Sequence, residues 1–129
     1  MISLILTIAV ALAFFLEGAL HLYWAATDSL PVEAVLPHED GLPLLEPEPA
    51  VTVATGVLMW VAALIVVLPG TYLKLGLAAL LFLRSLGELH YIGFFKKVRG
   101  SRYARLDTWV YSPLCLVQAV AILWISQFP

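Results

Sequence analysis

Four ionisable side chains lie in two apolar stretches of the sequence, as two pairs with four-residue spacing. Glu17 and His21 form the first pair, and Arg84 and Glu88 form the second. Residues four apart on a helix lie on the same face. A carboxyl group in apolar surroundings can act as an acid or base, and a neighbouring arginine can hold an anionic or carbonyl group. The spacing therefore predicts a catalytic site made of these four residues.

Other polar and aromatic side chains extend this candidate site and are predicted to bind a ligand. They are Tyr23, Trp24, Tyr91, Asp107, Tyr111, Ser112 and Gln118. An ionisable side chain at the centre of a membrane helix costs about 2.5–3.5 kcal/mol on insertion scales, which favours a functional pocket. The alternative is that Glu17–His21 and Arg84–Glu88 are two intrahelical ion pairs that only stabilise helix packing.

The composition indicates that these side chains are positioned by membrane-spanning helices. The chain has 129 residues, of which 62% are apolar and 12% are charged. These values exclude an ordinary soluble globule, a disordered chain and a nucleic-acid binder. The apolar runs predict an all-α membrane protein, a single-domain bundle of four transmembrane helices at about 2–26, 50–68, 72–95 and 109–128. The tight turn at 69–71 predicts that the second and third helices are antiparallel neighbours.

The two long loops have opposite charge. Loop 27–49 is acidic and rich in proline, and it contains no lysine or arginine. Loop 96–108 is basic, with Lys96, Lys97, Arg99, Arg102 and Arg105. In a four-span protein both loops lie on one side, and basic residues favour the cytoplasm. We therefore expect a multi-pass protein of the cell's inner membrane, with both large loops cytoplasmic and both termini outside.

Three stretches of sequence carry a resemblance to a known family. They are His21-Leu22-Tyr23-Trp24-Ala25, then Arg84-Ser85-Leu86-Gly87-Glu88 continuing into 91–97, and Arg102-Tyr103-Ala104-Arg105-Leu106-Asp107 continuing into 111–116. The chain resembles the small bacterial membrane proteins described as domain of unknown function 3995 (DUF3995), over most of its length. The resemblance implies a four-helix membrane protein and adds weight to these motifs, but the family name carries no activity.

The favoured hypothesis is that the protein binds, or transforms by acid–base chemistry, a small apolar or lipid-like molecule. Glu17 or Glu88 is the candidate acid or base, Arg84 holds an anionic or carbonyl group, and His21 relays a proton or orients Glu17. Whether the protein is an enzyme stays open. No metal and no cofactor are expected.

Three other functions remain open at this point. A small proton-coupled transporter fits a glutamate in the first of four short helices. A b-type haem protein would use His21 and His90 as axial ligands. An accessory subunit would use its charged pairs to bind another membrane protein. The expected partners are the lipid bilayer, a lipid-like ligand, and either a second copy or another membrane protein, with no nucleic acid.

Overall fold

The computed structural model describes residues Met1–Pro129, and most of them are helical. The helices are α1 Ile2–Thr27, α2 Val32–Val35, α3 Pro49–Val67, α4 Thr71–Leu86, α5 Arg102–Leu106 and α6 Ser112–Gln127. A π-helical turn, Asp107–Tyr111, joins α5 to α6. The remaining regular structure is a small antiparallel hairpin of β1 His38–Glu39 and β2 Leu42–Pro43. The prediction of a helical protein is confirmed.

Three helical stretches are long and apolar enough to cross a membrane. They are Ile2–Thr27, Pro49–Val67 and the continuous run Arg102–Gln127. The fourth predicted span is not confirmed, because α4 has only 16 residues. At 1.5 Å per residue it is about 24 Å long, which is shorter than a hydrocarbon core of about 30 Å.

The predicted helix at 72–95 is wrong at its C-terminal end, because α4 ends at Leu86. Gly87 follows with φ of 81°, a conformation that favours glycine. A Cβ atom at Gly87 would collide with the Ile92 carbonyl group. The chain turns back here, and the Phe94 N–H donates to the Ser85 carbonyl at 2.8 Å. Residues 87–101 are therefore an irregular segment that folds against the end of α4.

The last helical run begins at Arg102, seven positions before the predicted start at 109. The Ser101 hydroxyl caps this run by accepting the Ala104 N–H at 3.0 Å. Pro113 has no N–H to offer the preceding turn, and the chain there widens into a π turn in which the Ser112 N–H donates to the Asp107 carbonyl. The loop predicted at 96–108 is thus displaced to 87–101, and Arg102 lies on a helix.

The four long helices pack as two pairs. α1 lies along α3, α4 lies along α6, and α1 contacts α6 to join the pairs. The tight turn connects α3 to α4, but each of these helices packs mainly against a different partner, so the predicted neighbour relation is weak. The buried centre comes from all four helices and includes Phe14, Val66, Ala78 and Ile122.

Glycines let α1 approach α3 closely. A Cβ atom on Gly56 would lie 2.9 Å from the Gly18 carbonyl oxygen. Beside this contact the Trp60 indole donates to the Phe15 carbonyl at 3.1 Å, and the two rings stack. Small residues at such a crossing allow extensive backbone and side-chain contact. α1 and α3 therefore form a tight pair, and α1 also contacts the α4–α6 pair.

Candidate functional site

The most densely bonded side chain in the protein is Asp107, which is fully buried. Its Oδ1 accepts hydrogen bonds from Arg84 Nη2 at 2.7 Å and from the Ser112 hydroxyl at 3.2 Å. Its Oδ2 accepts from the Gly93 N–H at 2.7 Å and from Lys96 Nζ at 3.1 Å. One carboxylate thus binds α4, the irregular segment 87–101 and the start of α6. We call these five residues the Asp107 centre.

The π turn positions Asp107 and Ser112 toward the same neighbours. Asp107 begins the turn and Ser112 follows its last residue. The wider turn places the two side chains within hydrogen-bond distance, and Arg84 Nη1 also lies 3.4 Å from the Ser112 oxygen. π turns inside helices are frequent at functional sites. The sequence predicts Asp107 in the basic loop and as a ligand contact, and it gives no sign of the π turn.

Lys96 is a member of the centre that the sequence analysis missed. Its side chain is fully buried, as is that of Asp107. Besides Asp107, its ammonium donates to the Gly93 carbonyl at 2.9 Å and to the Thr108 hydroxyl at 2.6 Å. A buried ammonium group needs such partners, because removal from water is costly. The signal that could have identified it is a lysine that directly follows the apolar run 92–95.

Arg84 pairs with Asp107 and not with Glu88, so the alternative of an intrahelical Arg84–Glu88 ion pair is wrong. Its guanidinium also donates to the Tyr103 hydroxyl at 3.4 Å. The Arg84 side chain is 32% exposed, whereas that of Asp107 is inaccessible. Two cations share one carboxylate in this centre, which leaves one positive charge uncompensated. Arg84 is the member of the centre through which a ligand can meet that charge.

Glu88 is exposed and lies beyond the end of α4, so it does not share a helix face with Arg84. Its carboxylate accepts the backbone N–H groups of Tyr91 and Ile92, the latter at 3.2 Å. The Tyr91 N–H is the main cause that holds the pKa of the Glu88 carboxyl below its usual range. Glu88 therefore stabilises the turn after α4, and the structure does not bring it to the other predicted catalytic residues.

Tyr91 and His90 also lie outside the helices. The Tyr91 hydroxyl donates to Glu39 at 2.7 Å, and this hydrogen bond raises the pKa of the phenol. His90 packs edge-on against the Tyr91 ring and is exposed. The haem hypothesis assumed that His21 and His90 stand on two helices at equal depth. That assumption is wrong for His90.

Glu17 reaches across to α6, where its carboxylate accepts the Gln118 amide N–H at 2.8 Å. His21 does not contact this carboxylate. Its Nδ1 instead donates to the Glu17 backbone carbonyl at 2.7 Å, and its ring meets Trp24 edge-on. The Glu17–His21 ion pair of the alternative interpretation is therefore absent. The other Glu17 carboxylate oxygen has no protein partner.

The remaining predicted ligand contacts divide between the interior and the surface. Tyr111 donates through its hydroxyl to the Ala34 carbonyl at 2.7 Å, which fastens α2 to the last helix. Its ring lies against Tyr103. Tyr23 is exposed on α1. On α6, Ser112 and Gln118 are six residues apart, about 9 Å along the axis, so the Asp107 centre and the Glu17–Gln118 contact lie at successive levels.

Three cavities lie outside the Asp107 centre. The first, of ≈ 530 Å³, is polar and lies between the acidic hairpin and the start of α5. The second, of ≈ 150 Å³, lies between the end of α1 and the start of α3 and includes Trp24. The third, of ≈ 570 Å³, is a wholly apolar groove on the α1–α3 face beside Phe15 and Trp60. Neither Glu17 nor Arg84 lines any of the three.

Comparison with known proteins gives one match. A family model described as "Protein of unknown function (DUF3995)" matches residues 13–122. The matched range contains Glu17, Arg84, Lys96 and Asp107. No curated protein and no solved structure matches the chain.

Proposed function

The chain belongs to the DUF3995 family, as the resemblance predicted, and we propose that it is a four-span membrane protein that binds a lipid-like molecule through Arg84. The single observation that carries this proposal is the unequal charge count at the Asp107 centre. Two cations meet one carboxylate, and the partly exposed one is Arg84.

Four spans require that α4 crosses the bilayer although it is short. A spanning α4 is supported by its packing along α6, which belongs to the helical run Arg102–Gln127 that is long enough to span a membrane. A helix shorter than the hydrocarbon core is accommodated by local thinning or by basic side chains that extend to the interface. Because the Arg84 guanidinium in the last turn of α4 is held by Asp107, local thinning is the accommodation that we expect. With four spans, segments 28–48 and 87–101 share one side, which the basic residues assign to the cytoplasm.

The sidedness can be measured with single cysteines. Cys115→Ser removes the only native thiol, and Glu46→Cys, Gly100→Cys or Pro129→Cys then adds one reporter. We expect a membrane-impermeant maleimide to label positions 46 and 100 only from the cytoplasmic side and position 129 only from outside. Labelling of positions 46 and 100 from opposite sides would contradict four spans.

An anionic or carbonyl group is the ligand chemistry that Arg84 favours. Its guanidinium is held in place by Asp107, Ser112 and Tyr103. The Arg84 side chain therefore loses little conformational entropy when a ligand binds. The centre as a whole carries one positive charge in excess, and at low dielectric such a charge attracts an anion more strongly than it would in water. The apolar part of the same molecule would lie among the surrounding helices.

Glu17 is the candidate acid or base if the bound molecule is also transformed. One of its oxygens is occupied by Gln118, and the other is free of protein partners. Glu17 bonds Gln118, which lies about two helical turns along α6 from Ser112. Arg84 lies beside Ser112. A molecule with a polar group at Arg84 would thus extend toward Glu17.

Binding is tested with dodecyl phosphate as the probe and dodecyl maltoside as its uncharged counterpart. Native mass spectrometry should show retention of dodecyl phosphate by the wild type and about tenfold weaker retention by Arg84→Gln, the loss expected for one charged hydrogen-bonding partner. Arg105→Gln is the matched control, because the Arg105 side chain is exposed and makes no hydrogen bond or ion pair. Arg84→Lys keeps the charge beside Asp107 and should give an intermediate loss.

Two results would reject the proposal. One is unchanged retention of dodecyl phosphate in a folded Arg84→Gln protein. The other is equal retention of the uncharged detergent by the wild type. For acid–base chemistry, Glu17→Gln should abolish turnover of any identified ligand, whereas Glu88→Gln should not, since Glu88 is exposed beyond the end of α4.

A further inference from the structure

A second polar site lies apart from Arg84, in the cleft of ≈ 530 Å³. One part of its lining comes from the acidic segment, with Glu33, Glu39 and Asp40. The other part comes from the residues that lead into α5, with Ser101 and Arg102. Its volume is in the range of small-molecule sites. We call this cavity the hairpin cleft.

The opposite charges of the hairpin cleft form no ion pair with each other. The only two ion pairs in the protein both involve Asp107. No carboxylate oxygen therefore lies within 4.0 Å of an Arg102 nitrogen, although three carboxylates line the same cleft. Glu33 and Asp40 accept no hydrogen bond from any protein group. Only Glu39 is engaged, by the Tyr91 hydroxyl.

Hydrogen bonds hold the two sides of the cleft in place. Tyr91 fastens the hairpin at Glu39, and Tyr111 fastens α2 at the Ala34 carbonyl. On the other side, the Ser101 oxygen caps α5, which leaves its hydroxyl hydrogen free to donate. Both charge groups are thus presented on anchored backbone, so a ligand that bridges them has to order the side chains but not the segments that carry them.

We propose that the hairpin cleft binds a small zwitterion, a molecule with an ammonium group and a phosphate or carboxylate group. The ammonium would lie beside Glu33 and Asp40, and the anionic group would meet Arg102 and the Ser101 hydroxyl. A simple cation would leave Arg102 unpaired, and a simple anion would face three carboxylates. Phosphoethanolamine has this chemistry, whether it is free or the headgroup of a phospholipid. The proposal is independent of ligand binding at Arg84.

The experiment is calorimetric titration of the full chain in phosphatidylglycerol nanodiscs, whose lipid has no amine. Free phosphoethanolamine should bind saturably, and ethanolamine or inorganic phosphate should each bind at least about tenfold more weakly. Arg102→Gln should weaken phosphoethanolamine binding about tenfold and leave ethanolamine binding unchanged. The double variant Glu33→Gln with Asp40→Asn should weaken both.

Matched controls distinguish the cleft from general surface charge. Arg105→Gln lies on the same short helix, and Glu46→Gln lies in the same acidic segment, but neither residue lines the cleft. Both should bind as the wild type does. No saturable phosphoethanolamine binding, an equal loss in Arg105→Gln, or phosphate binding as tight as phosphoethanolamine binding would each overturn the proposal.

A second arm identifies the source of the zwitterion. Phosphatidylethanolamine is added to the nanodiscs, and the free phosphoethanolamine titration is repeated. A weaker apparent affinity supports the lipid headgroup as the occupant, and an unchanged affinity supports a free zwitterion. All cleft substitutions are on exposed or half-buried side chains away from Asp107, so the variants should remain folded.

Discussion

Asp107 and Glu17 are two carboxyl groups among the same helices, and their surroundings differ sharply. Asp107 is fully buried and accepts four hydrogen bonds, two of them from cations. Glu17 is half-buried and accepts one, from the neutral Gln118 amide. A group saturated by the protein holds elements together, whereas one with a free oxygen is available for proton exchange. The comparison therefore indicates a structural role for Asp107 and favours Glu17 as the candidate for the proposed acid–base chemistry.

The largest effect on this comparison is expected for Asp107→Asn. The change removes the carboxylate that is the counter-charge of both buried Lys96 and Arg84. Removal of one partner from a buried ion pair costs about 3–5 kcal/mol, so a comparable drop in the free energy of unfolding is expected. Reversible unfolding in detergent micelles measures it. Asp40→Asn, at an exposed position without hydrogen bonds, is the control and should change stability by less than about 0.5 kcal/mol.

A smaller loss is expected for Lys96→Met. Asp107 then keeps Arg84, Gly93 and Ser112, so the cost should fall to about 1–3 kcal/mol, the range for leaving a buried group partly unsatisfied. Lys97→Met is a closely matched control, because the neighbouring lysine is exposed and its side chain makes no hydrogen bond. Equal stability of the two variants would show that Lys96 is not held as the structure indicates.

These two predictions also show what the sequence could and could not provide. Spacing identified Glu17, Arg84 and Gln118 as polar residues in apolar helices, and the structure finds them there. It could not find the partners of Arg84, because Asp107, Ser112 and Tyr103 come from other elements. Helical periodicity relates residues within one helix. Contacts across helices depend on packing, which one sequence does not specify.

The end of α4 was missed for a local reason. Half of the residues in the stretch 84–95 are apolar and the run before it is strongly apolar, which favoured a continued helix over a break at Gly87. What ends the helix is the reversal around Gly87 and Gly93, both with positive φ. Two glycines six residues apart are a weak signal inside such a run. As a consequence, Glu88, His90 and Tyr91 were all placed on the helix predicted at 72–95, although they lie beyond the end of α4.

A weaker effect is expected at the other carboxyl group. Gln118→Leu removes the only donor to Glu17, and interhelical hydrogen bonds of this kind contribute about 0.6–2 kcal/mol in membranes. The unfolding free energy should drop by about 1 kcal/mol. In the Glu17→Gln background the same substitution should cost less, because no carboxylate is then left without a partner. A loss as large as that of Asp107→Asn would erase the distinction between the two carboxyl groups.

The smallest effect concerns Glu88, the exposed counterpart of both carboxyl groups. The Tyr91 and Ile92 N–H groups favour its ionised form, so its pKa is depressed in the folded protein. A depressed carboxyl pKa stabilises the fold at pH above its ordinary value of about 4.3, and this contribution is lost as pH falls through the lower, folded value. A carbon-detected NMR titration of the Glu88 carboxyl in micelles should have its midpoint below that of the denatured chain. A midpoint at or above the denatured value would mean that Glu88 does not bond the turn after α4, and its return to the catalytic candidates beside Arg84 would then have to be considered.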